Sequence, residues 1–164
     1  MKIFVLGGDG FCGWPTALKL ARDHEVHIID NHSRRGIDKE LNSNSLTPIH
    51  SVLDRNTAAL EQGLIIRQNN IDIAKDYPMF AQKVAEDKPD VIVHFAEQRA
   101  APYSMLGEKE RRYTVDNNVT ATHNVLNAIV EHSPNTHLVH LGTMGVYGYS
   151  KEMGSIPEGY LDIT

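Results

Sequence analysis

Gly7, Gly10 and Gly13 stand three residues apart, directly after the apolar run Ile3-Phe4-Val5-Leu6. A loop of this kind between a strand and a helix presents bare backbone. Unpaired N–H groups and the helix dipole make that point a seat for an anion such as a pyrophosphate. Phe11 and Cys12 lie within the same loop. Asp30 follows 17 residues after Gly13, near the offset at which a carboxylate accepts from an adenosine ribose. An acid there disfavours a 2′-phosphate and selects NAD over NADP. Arg34 and Arg35 oppose that inference, because either could pair with a phosphate. Asp72-Ile73 ends a third apolar block, where a loop can face an adenine ring. NAD is therefore the expected cofactor.

These residues need a scaffold that brings loops from distant segments to one edge, and the apolar pattern supplies one. Strands are expected at Lys2–Leu6, Val26–Asp30, from Leu64–Ile66 up to Asn69, at Val91–Phe95 and at Leu138–Leu141. Helical spacing runs through Phe11–Asp23, Pro48–Gln62, Ala74–Asp87 and Glu108–His132. Asn31–Leu46 is polar and reads as loop with a short helix. Strand and helix alternate, so the expected fold is α/β: a parallel sheet covered on both faces, doubly wound in the Rossmann-like manner. The glycine loop then lies at the switch point.

Composition narrows the partners. With 164 residues, 41% apolar, the chain can bury a core as one domain. A net charge of −5 disfavours nucleic acid and anionic membranes. Cys12 is the single cysteine, which fits a reducing compartment. No leader or membrane-length apolar run is read, and the cytoplasm is the expected location.

Four segments carry a more specific signal: Gly7-Gly8-Asp9-Gly10-Phe11-Cys12-Gly13-Trp14, Ser45-Leu46-Thr47-Pro48-Ile49, His94 through Met105, and Leu141 through Gly148. Across essentially its whole length the chain resembles the extended short-chain dehydrogenase/reductases that act on nucleotide sugars. Among them it is most similar to the UDP-sulfoquinovose synthase family. The string Glu97-Gln98-Arg99-Ala100-Ala101-Pro102-Tyr103-Ser104 discriminates, since ordinary epimerases and dehydratases carry a small-residue stretch there. The resemblance implies oxidation of UDP-glucose at C4 by NAD, loss of water across C5 and C6, addition of sulfite at C6, and reduction at C4. It implies UDP-glucose and sulfite, or a sulfite donor protein, as partners, and a homodimer in a longer protein.

The resemblance also assigns residues. Gly7, Gly10, Phe11, Cys12, Gly13, Asp30, Asn31, Arg34, Arg35, Asp72, Ile73, Phe95, Ala96, Glu97 and Asn118 would hold the cofactor. Thr143 would hold the C4 hydroxyl as a catalytic residue, with Met144 beside it at the substrate. Arg99 is the expected cation for substrate anions, with Gln98 as a neutral donor. The family's Tyr-x-x-x-Lys pair is expected beyond Thr164. Tyr147 and Lys151 match its spacing, but Gly148 between them and the preceding strand make the segment read as loop. The expectation is an incomplete cofactor-binding domain spanning 1–164, lacking the last strands and a C-terminal substrate lobe. Two other readings stay open: a UDP-sugar epimerase or dehydratase, and a non-catalytic dinucleotide-binding module.

Blander roles attach to other residues. Nine histidines invite a metal, yet neither His24-x-x-His27 nor His137-x-x-His140 converges with a carboxylate or thiolate, and no metal site is expected. His94 reads as a hydrogen-bonded core histidine. Cys12 and Trp14 read as packing residues.

Overall fold

The computed structural model describes residues 1–143 and residue 145. Five strands, β1 (Lys2–Leu6), β2 (Glu25–Asp30), β3 (Ile66–Asn70), β4 (Val91–His94) and β5 (His137–His140), form one parallel sheet in the order β3-β2-β1-β4-β5. The helices are α1 (Gly13–Leu20), α2 (Ser33–Glu40), α3 (Val52–Glu61), α4 (Tyr77–Asp87), the short α5 (Ala101–Ser104) and α6 (Glu108–His132). The order steps outward from β1 to one edge and then to the other. The crevice at the carboxyl ends of β1 and β4 is therefore the topological switch point.

Side chains alternate across the sheet with period two, and two apolar layers result. Phe4, Leu6, Ile29 and Ile92 face Phe80 and Val84 of α4 and Ala121, Val125, Ala128 and Ile129 of α6. Ile3, Val5, Val26, Ile28 and Val93 face Ala17 and Trp14 of α1. The central strands are buried on both faces, which is why they read as continuous apolar runs.

Element boundaries depart from the expected ones for local reasons. The helix expected from Ala74 starts at Tyr77, because the Asp72 carboxylate first accepts the N–H groups of Ala74 and Lys75 and holds a turn. The third strand runs through the polar residues Arg67, Gln68, Asn69 and Asn70. As an edge strand it pairs only with β2, so its polar side chains reach water or a partner; Asn69 Nδ2 donates to the Ile28 carbonyl at 3.0 Å. The helix expected over Glu108–His132 has those bounds. The short α5, within the discriminating string, was not expected.

Phe80 is fully buried between α4, α6 and the sheet. Phe80→Ala is expected to cost about 4 kcal/mol in urea unfolding, through lost burial and a residual cavity. Leu126→Ala, on the exposed side of α6, should change stability by less than about 1 kcal/mol.

Candidate functional site

The glycine loop leaves β1 and turns back under the β4 loop. Gly7 has φ +74°, and a Cβ there would lie 2.8 Å from both the Ala96 nitrogen and the Phe95 carbonyl carbon. A Cβ on Gly13 would strike the Gly7 carbonyl oxygen. Gly7 therefore needs glycine for its conformation, and both positions need it for close approach. The Gly7 N–H donates to Ile29 O at 2.9 Å and Gly10 N–H to Gly7 O at 3.1 Å. The N–H groups of Phe11, Cys12 and Gly13 have no acceptor among the described residues. They are the free donors at the start of α1, suited to an anion.

A cavity of about 420 Å³ opens over this loop. That volume falls within the ordinary range for small-molecule and cofactor sites. Its lining brings together Gly7, Gly10, Phe11, Cys12, Gly13, Asp30, Asn31, Arg34, Asp72, Ile73, Phe95, Ala96, Glu97, Gln98 and Arg99. Arg35, Asn118 and Thr143 lie outside it.

At one end, Asp30 ends β2 with its carboxylate nearly buried. Oδ2 accepts the Asp9 N–H at 2.9 Å and Oδ1 the His32 N–H at 2.7 Å. Burial pushes the Asp30 carboxyl up from the usual carboxylate value, and these two donors oppose that shift. Each oxygen keeps a lone pair, so the group can still accept from a ribose hydroxyl. Asn31 donates to Asp72 Oδ2 at 3.0 Å, tying the ends of β2 and β3 across the cavity floor. Asn124 of α6 holds the Ile73 carbonyl at 2.7 Å.

Of the two arginines expected near the cofactor, one lines the cavity and the other does not. Arg35 binds Asp9 through two parallel bonds, Nε to Oδ2 at 2.6 Å and Nη2 to Oδ1 at 2.8 Å, and so does not present its charge to the cavity. Arg34 lines the cavity but pairs with Asp38 one turn along α2, at 3.0 Å. Asp9 is the functional residue that sequence reasoning passed over. It lies within the glycine loop yet gathers Arg35 of α2 and Arg55 of α3, partners visible only once the chain is folded. Burial raises the Asp9 carboxyl, but Arg35 and Arg55 outweigh it and hold the group below the usual range.

The other rim is the loop after β4. The Asn118 side chain accepts the Gln98 N–H at 2.8 Å and donates to the Gln98 carbonyl at 2.9 Å. It fixes the loop from behind; Asn117, its neighbour, lines the cavity. Asn118 thus holds a backbone carbonyl beside the cavity and does not itself line it. Gln98 is corrected: its amide donates to Ala100 O and Thr114 Oγ1, and its carbonyl accepts the Ala100 N–H. With its amide engaged by Ala100 and Thr114, Gln98 braces the loop that carries Arg99. Arg99 is exposed on the cavity rim, and no ion pair holds it among the described residues.

Against the expectation that His137-x-x-His140 meets no carboxylate, His140 converges with Glu97 and His94, one ligand-type atom of each lying within 4.8 Å of the others. Their chemistry argues against a metal. The His94 Nδ1 lone pair already accepts the Ala96 N–H at 3.2 Å, so Nε2 carries the proton toward Thr122 Oγ1 at 3.3 Å. A neutral imidazole has one such lone pair, and here it is occupied.

Thr143 follows β5, exposed, with its hydroxyl accepting the Gly145 N–H at 3.1 Å. Met144, Tyr147 and Lys151 lie outside the described residues.

A parallel sheet in this order, with a free-donor glycine loop at its switch point and a carboxylate at the end of β2, defines a dinucleotide-binding Rossmann-type domain. The chain belongs to the NAD dependent epimerase/dehydratase family, whose model matches residues 3–162. It is 44% identical over 99% of its length to the chloroplastic UDP-sulfoquinovose synthase of Spinacia oleracea, covering 34% of that protein. It is 46% identical over 90% of its length to the UDP-sulfoquinovose synthase of Sulfolobus acidocaldarius, covering 38% of it. Among solved structures it resembles a UDP-glucose 4-epimerase from Bifidobacterium longum in complex with NAD+ and UDP. That match has a TM-score of 0.71 and 23% identity, over 96% of this chain and 42% of the other. The chain thus spans about a third of the length of the curated relatives it matches. Among the described residues no helix is long and apolar enough to cross a membrane.

Burial, with His140 beside it, lowers the His94 pKa from 6.5 to about 4. The unfolded chain therefore binds a proton that the folded chain excludes, and stability falls as pH drops through that interval. Lowering pH from about 7 to about 5 should cost roughly 2 kcal/mol through His94. Urea unfolding at both pH values should show the loss, and His94→Gln should remove that part of it.

Proposed function

We propose that the chain is the cofactor-binding part of an NAD-dependent nucleotide-sugar enzyme that makes UDP-sulfoquinovose from UDP-glucose and sulfite. The observation that carries this reading is a glycine-loop cradle sharing its cavity with Arg99, which lies in the Glu97–Met105 string next to Gln98, whose backbone Asn118 holds. The 44% and 46% identities to two UDP-sulfoquinovose synthases support the substrate assignment.

The residues present fit NAD. The N–H groups of Phe11, Cys12 and Gly13 would hold the pyrophosphate, and Asp30 would accept from the adenosine ribose. The loop at Asp72-Ile73 would face the adenine. Bound NAD supplies a reversible hydride acceptor for C4 of the sugar. Thr143 would hold the C4 hydroxyl, and Met144 would lie beside the sugar. The hydroxyl's proton leaves through a base supplied beyond the described residues. Loss of water across C5 and C6 would then open C6 to sulfite, before C4 is reduced again. Sulfite and the diphosphate are anions facing a protein of net charge −5. Arg99, exposed at the cavity and held by no ion pair among the described residues, is a cation that can meet them. The longer protein would act as a homodimer in the cytoplasm, taking sulfite free or from a donor protein.

Arg99→Ala in the longer protein is expected to abolish sulfite incorporation while leaving NAD affinity within about threefold of the unmodified protein. Product formation from UDP-glucose and labelled sulfite, with a parallel NAD titration, tests it. Unchanged product formation would remove Arg99 from that role.

A further inference from the structure

Two arginines stand beside the carboxylate that ends β2, yet neither is offered to the cavity. The Asp9 side chain is 9% exposed and has both oxygens engaged. Arg35 takes them in the planar fork described above and also donates to His50 O at 3.0 Å. Arg55 Nη1 reaches Asp9 Oδ1 and the Asp9 carbonyl, both at 3.0 Å, and its guanidinium lies 5.2 Å from the centre of the Trp14 ring. The backbone N–H of the same Asp9 donates to Asp30. His32 faces both carboxylates, with Nδ1 3.6 Å from Asp9 and 3.8 Å from Asp30. Arg35 is thus one residue removed from the carboxylate expected at the ribose, and Asp9 stands between them.

We propose that Asp9 is a specificity-determining residue: by locking Arg35 it denies a 2′-phosphate the cation it would need, and so reinforces the preference for NAD that Asp30 begins. The proposal rests on the reading that this cavity holds a dinucleotide. Asp30 excludes a 2′-phosphate by repulsion; Asp9 excludes it by withholding attraction. A 2′-phosphate brings close to two negative charges and is bound well by a forked guanidinium. Neutralising Asp9 frees Arg35 selectively, because Arg55 keeps the Asp9 carbonyl and the Trp14 ring. Arg34 is the competing cation, but its partner Asp38 is on the same exposed helix face. Such a pair holds weakly, so if Arg34 served the phosphate, no change at Asp9 would be needed.

Calorimetric titration of the chain with NAD and NADP tests this. The unmodified chain is expected to bind NAD at least about tenfold more tightly than NADP. Asp30→Asn should weaken NAD and raise NADP affinity by less than about threefold. Asp9→Asn added to it should raise NADP affinity a further tenfold or so, and Arg35→Met added to that pair should abolish the gain. A full gain in Asp30→Asn alone, or none on adding Asp9→Asn, overturns the proposal. Should the Asp9 variant lose its folded circular dichroism signal, Arg35→Met in the Asp30→Asn background decides. NADP affinity within about twofold of Asp30→Asn supports the lock, and a roughly tenfold fall overturns it. Binding of neither dinucleotide by the unmodified chain overturns the cofactor reading, and this proposal with it.

Discussion

The close approach of the glycine loop to the β4 loop is the constraint on which the rest of the site depends. Gly7 lies so near Phe95 and Ala96 that a single Cβ would force them apart. The contact is set by the sheet, because β1 pairs with β2 on one side and β4 on the other, all parallel. The Gly7 N–H reaches back to the end of β2, and the Phe95 N–H reaches the end of β1. Three strand ends thus converge on one loop. The free donors at α1, the carboxylate of Asp30 and the loop bearing Arg99 share a cavity only because that convergence leaves no room for side chains.

Around this pinch the chain places polar side chains that hold backbone rather than ligand. Asp9 ties the glycine loop to α2 and α3 through Arg35 and Arg55. Asn118 and Gln98 tie the opposite rim to α6. Asp72 holds the turn before α4 and receives Asn31. The Tyr113 hydroxyl of α6 reaches Ser33 of α2 at 3.1 Å, and Lys109 reaches Glu40 at 2.7 Å, so the two walls of the cavity are joined. Most of these groups are partly buried, where paired polar networks fix a geometry that exposed pairs would leave loose.

What was legible in the chain followed its periodicity. The double-faced burial of β1, the glycine spacing and the bounds of α6 all rest on patterns within one element. The order of strand and helix then sets the sheet order through the handedness of the crossovers. The roles of Arg35, Gln98 and Asn118 were not legible, because each depends on a partner well away in sequence: Asp9 for Arg35, 26 residues off, Thr114 for Gln98, 16 off, and Gln98 for Asn118, 20 off. A free-looking arginine beside an acidic strand end reads as a phosphate ligand until Asp9 is seen to hold it. Gln98 reads as a substrate donor until its own loop is seen to use both ends of its amide. The expected third strand is present as β3, with bounds shifted to Ile66–Asn70 for another reason: an edge position relaxes the apolar requirement that marks a buried strand.

The cradle itself is tested most directly by a crystal structure of the chain grown with saturating NAD. The dinucleotide should lie over the glycine loop, its pyrophosphate within hydrogen-bond distance of the N–H groups of Phe11, Cys12 and Gly13. The adenosine ribose hydroxyls should meet the Asp30 carboxylate. A dinucleotide seated away from that loop, or an empty cavity at saturating NAD, would contradict the assignment of this site to the cofactor.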